Sequence, residues 1–134
     1  MAPKSRILAI GALTYVLCAP ALGQSSGQWI EINDPEELRA LHSNKTINGS
    51  LGTGSPYVAY YRPNGEALLI WKKERIPQTW MVKGQDQVCY SDKQFGTRCY
   101  RFRRHKERRD DIVMERVSDN AVSFPKIEEG IPKF

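Results

Sequence analysis

From residue 57 onward, apolar and polar positions change in short runs broken by turn residues, the pattern of β-strands rather than helices. Tyr57-Val58-Ala59-Tyr60-Tyr61 is aromatic and β-branched, and Arg62-Pro63-Asn64-Gly65 is turn chemistry, with Pro presetting φ and Asn-Gly tolerating positive φ. Ala67 to Trp71 is apolar on both faces, as a strand covered on both sides would be, so the two runs predict a hairpin. Thr79 to Val82, Gln87 to Ser91 and Thr97 to Phe102 follow as strands, joined by a turn at Lys83–Asp86 and a loop at Asp92–Gly96. Ile112 to Val117 and Ala121 to Phe124 read as two more, the last ended by Pro125. Lys45 to Gly49 suits a further short strand, and the tail from Lys126 to Phe134, with Gly130 and Pro132, reads as extended and irregular.

Before these strands the period differs. Asp34 suits an N-cap, Pro35 the first helical position, and Glu36 and Glu37 the first turn, where the helix dipole favours carboxylates. Leu38 and Leu41 share a face, so the spacing predicts one short helix over about residues 35–43. The expected fold is mainly β: an antiparallel meander of about six or seven strands, curled or closed into a small barrel, with one short N-terminal helix.

The first two dozen residues set the compartment. Lys4 and Arg6 precede an uncharged, mostly apolar run of twelve, Ile7 to Cys18. Ala21 and Gly23 are small residues at the −3 and −1 places of a cut before Gln24. This is the three-part form of a secretory signal peptide over residues 1–23. Twelve residues make about 18 Å of helix against roughly 30 Å of hydrocarbon, too short to span. The remaining chain, 24–134, reads as one exported β domain with no later transmembrane segment.

Export changes how the cysteines read. Cys18 leaves with the leader, and Cys89 and Cys99 remain, which in an oxidising compartment predicts one disulfide. Alternation places Val88 and Tyr90 on one face of their strand and Tyr100 and Phe102 on one face of the next. The cysteines then share the opposite, polar face, and a bridge between them puts Cys89 opposite Cys99.

A chain of 134 residues with formal net charge +5 excludes a multidomain enzyme. The sharpest charge feature is Arg98 to Arg109, with seven Lys/Arg in twelve residues. Arg101, Arg103, Arg104, Arg108 and Arg109 are candidate anion-binding residues. After export their partner would be an anionic envelope component rather than nucleic acid. A solvated strand end that resists edge pairing is the plainer account, and Asp110 and Asp111 offset part of the charge. The aromatics offer a second candidate: inward-facing Tyr61, Trp71, Trp80 and Tyr100 would line a site for a small apolar ligand, or else fill a core. No G-x-S-x-G, H-E-x-x-H or Gly-rich phosphate loop occurs, so the reading is non-catalytic, with no cofactor and no metal.

The ordered features are E-E-L-R-A-L-H-S-N-K-T at 36–46, Y-Y-R-P-N-G at 60–65, T-W-M-V-K-G at 79–84, V-C-Y at 88–90 and R-C-Y-R at 98–101. Their order resembles a family of small exported proteobacterial proteins known as a domain of unknown function, the DUF995 type. The resemblance runs over roughly residues 34–117. It implies a periplasmic, lipocalin-like or half-barrel β module with one disulfide, and no particular activity. The chain departs from that pattern in its very apolar Leu68-Leu69-Ile70 and in the basicity of 98–109.

Overall fold

Asp34 starts the helix as its sequence predicts: its side chain accepts the Glu36 N–H at 3.1 Å, Pro35 occupies the first turn, and helix α1 runs Pro35–His42. In the computed structural model, residues 27–50 and 54–132 are described; the leader expected over 1–23 lies outside them. Strand β1 is Trp29–Glu31, β2 Lys45–Ser50, β3 Pro56–Tyr61, β4 Glu66–Trp71 and β5 Glu74–Lys83. Then come β6 Gln87–Asp92, β7 Gly96–His105, β8 Ile112–Arg116, β9 Val122–Ser123 and β10 Lys126–Glu129.

All the pairings are antiparallel, and the sheet order is β10-β2-β3-β4-β5-β6-β7-β8-β9, with β1 added to β7. The meander is therefore as expected, curled into a half-barrel, but among the described residues it has ten strands rather than six or seven. Two short strands, β10 and β1, were not expected, and one expected strand, β5, is longer. The tail expected to be irregular forms β10, whose Ile127 pairs with Ile47 and whose neighbouring Gly130 carbonyl accepts the Thr46 hydroxyl at 2.5 Å. β1 pairs with the C-terminal half of β7, Ile30 opposite Arg104. β5 begins at Glu74 rather than Thr79, because Lys72 and Lys73 both take positive φ (52° and 67°) and close a two-residue hairpin.

Register fixes what faces inward. Tyr61 opposes Ala67, Leu69 opposes Ile76, Trp80 opposes Tyr90, and Phe102 opposes Met114. All of these are buried, so one face of the meander is the concave, apolar face. Helix α1 closes one end of the concavity by placing Leu38, Leu41 and His42 against it. Cys89 and Cys99 are directly opposite in the β6–β7 ladder and are bonded, as expected. Val88, Tyr90 and Phe102 are core as expected, while Tyr100 is only half-buried. No helix among the described residues is long and apolar enough to cross a membrane.

Candidate functional site: a tyrosine-lined cavity

Part of the concavity is not filled. It holds a half-open cavity of about 430 Å³ whose wall includes Tyr57, Tyr61, Tyr90 and Tyr100, with Val122 and Phe124 also on it. Ligand sites commonly measure about 300–1,000 Å³, so the space suits a small molecule. Tyr57 is positioned by Gly49, its cross-strand partner. A Cβ at Gly49 would sit 2.8 Å from the Tyr57 hydroxyl, so glycine there lets the ring lie flat over β2. The Tyr57 hydroxyl reaches across to Met114 Sδ at 4.0 Å, linking β3 to β8 over the concavity.

A buried relay stands behind the wall. His42 Nδ1 lies 2.8 Å from the Leu38 carbonyl, which can only accept, so Nδ1 carries the proton. Burial, outweighing the Leu38 hydrogen bond, lowers the His42 pKa to about 4, so the ring is neutral and Nε2 holds a lone pair. Tyr90 therefore donates its hydroxyl to Nε2, at 2.5 Å. The Tyr61 ring lies beside Tyr90, with ring centroids 5.3 Å apart. Burial, and then the neighbouring phenols, push the Tyr61 and Tyr90 hydroxyls well above their usual pKa, so both remain neutral.

Three polar residues interrupt the apolar wall. The Asp92 carboxylate is fully shielded from solvent and acts as a hub. Its Oδ2 accepts Gln78 Nε2 and Arg98 Nη2, both at 2.8 Å. Its Oδ1 accepts the backbone N–H groups of Gln94 and Phe95 at 2.9 and 2.6 Å. Burial raises the Asp92 pKa, but the Gln78 and backbone hydrogen bonds and the Arg98 charge outweigh it, leaving the group below its ordinary 3.8. Arg98 also lies over the Phe95 ring at 5.1 Å. Gln78 Oε1 and Arg98 Nε are buried without a hydrogen-bond partner. Arg116, also on the cavity wall, is held by Asp119 through two bonds of 2.9 Å.

Two of the expected ligand residues, Tyr61 and Tyr100, line this cavity, and Trp71 and Trp80 do not. Trp80 belongs to the core near the helix: it stacks on His42 at 5.2 Å and donates Nε1 to the Arg62 carbonyl at 2.8 Å. Trp71 lies edge-on to Phe95 at 5.2 Å, beside the β6–β7 loop. The basic stretch is spent largely on the protein itself. Arg101 meets Asp86 (3.4 Å), Arg103 meets Glu115 (3.4 Å), Arg104 meets Glu37 of α1 (2.7 Å) and Arg108 meets Asp111 (2.7 Å). Arg109 is exposed. Sequence reasoning missed Gln78, Asp92 and Arg98 as site residues, although their strand alternation puts each on an apolar face. No group of three or more His, Cys, Asp or Glu among the described residues is arranged to hold a metal ion.

No protein-family model, curated protein or solved structure matches the chain.

Proposed function

We propose that this protein is an exported, non-catalytic binding module that takes a small amphipathic ligand into the concavity of its half-barrel. The observation that carries the reading is the half-open cavity of about 430 Å³ with tyrosines on its wall. A filled core would leave no such space. The pairing of four of the five candidate arginines with carboxylates speaks against the rival reading, docking on an anionic envelope component through residues 98–109. The Cys89–Cys99 bond and the leader-like N-terminal sequence support a periplasmic location, and with them the resemblance to exported DUF995-type proteins.

The test is a fluorescence titration with the uncharged dye N-phenyl-1-naphthylamine, run on the wild type and on Ala121→Trp. Ala121 is exposed on the cavity wall, so the indole narrows the space without entering the core. Saturable binding to one site, roughly tenfold weaker in the variant at an unchanged urea midpoint, is expected. Absence of saturable binding, or equal binding to both proteins, overturns the reading.

A further inference from the structure

We propose that the ligand of this cavity is an uncharged, hydroxyl-bearing ring, a small sugar or glycoside, recognised through Gln78 and Arg98. The inference rests on the binding reading above and deepens it. The argument is one of hydrogen-bond polarity. Gln78 is 6% exposed, lies on the cavity wall, and its Oε1 is an acceptor with no partner. Its amide orientation is set by Nε2, which is committed to Asp92. Arg98 Nε is a buried donor with no partner, and the same Asp92 oxygen holds the two side chains beside each other.

Beside the cavity there are therefore one unpartnered acceptor, Gln78 Oε1, and one unpartnered donor, Arg98 Nε. A hydroxyl group both gives and takes a hydrogen bond, so neighbouring hydroxyls can satisfy Gln78 Oε1 and Arg98 Nε together. A carboxylate or phosphate dianion has no proton to give to Gln78 Oε1. The local charges are balanced as well: Arg98 is matched by Asp92 and Arg116 by Asp119. The phenol rings of Tyr57 and Tyr100 supply flat apolar surface for the C–H face of a sugar ring.

A matched pair of probes separates the possibilities: phenyl β-D-glucoside and phenyl β-D-glucuronide, which differ only in a hydroxymethyl group replaced by a carboxylate. Each is titrated by calorimetry into the full, unreduced protein, alongside the naphthylamine dye. The glucoside should bind at least tenfold more tightly than the glucuronide. In Gln78→Leu the glucoside should weaken about tenfold while dye binding stays within twofold, which also reports that the variant is folded. Equal or tighter binding of the glucuronide overturns the assignment of ligand class. So does dye binding with neither glycoside bound, which leaves the cavity reading standing. Failure of all three probes overturns both.

Discussion

Gln78, Asp92 and Arg98 are polar residues on strand faces that otherwise read as core: Ile76-x-Gln78-x-Trp80, Val88-x-Tyr90-x-Asp92 and Arg98-x-Tyr100-x-Phe102. That break in alternation is legible in the sequence, and Tyr61 and Tyr100 were legible from aromaticity. The proximity of the three polar groups was not, because it depends on the register of β5, β6 and β7 together. His42 is the residue whose environment makes the firmest prediction. Its folded pKa, about 4, lies below the unfolded value of 6.5, so the unfolded chain takes up the proton first as pH falls. The stability tied to neutral His42 is complete above pH 6.5 and is lost between 6.5 and 4, by about 3 kcal/mol at the lower limit. Urea midpoints of the wild type and of His42→Gln, measured across that window, should diverge in slope. Parallel profiles would remove His42 from the account.

At the scale of elements, the features with strong local chemistry were the ones the sequence disclosed. Asp34-Pro35 caps α1, Arg62-Pro63-Asn64-Gly65 turns β3 into β4, and the cysteine faces predict the β6–β7 register. The β4–β5 hairpin was hidden because Lys72 and Lys73 are not turn residues, and Pro77 within β5 argues against a central strand. Holding lysine in the left-handed region is unfavourable, so the ladder on either side imposes that turn. Lys73→Gly should relieve the local penalty and stabilise the protein by about 0.5 kcal/mol, net of the entropy glycine adds to the unfolded chain. Lys72 is left in place because its ammonium lies 4.7 Å from the Trp71 ring centre. A thermal melt of Lys73→Gly with an unchanged or lower midpoint would contradict this.

For the whole molecule, one edge of the sheet depends on its last strand. β10 covers the free edge of β2, packs Ile127 beside Ile47, and is tied by the Thr46–Gly130 bond and the Lys45–Glu129 pair. A chain ending at Pro125 should lose about 2 kcal/mol and expose β2 as an unpaired edge. A lowered urea midpoint and faster sedimentation from self-association are the expected readouts; an unchanged monomer of unchanged stability would refute the role of β10. The sequence by itself determined the strand-rich class, the capped helix α1, the main turns and the cysteine pairing, because each follows from alternation, φ preference or side-chain geometry within a few neighbouring residues. The tertiary structure decided how far the sheet extends and where the interior stays open. It also decided that most of the basic stretch is matched by carboxylates from other elements, and that a buried carboxylate brings Gln78 and Arg98 together. These depend on contacts between residues distant in the chain, and no local pattern encodes a distance across a concavity.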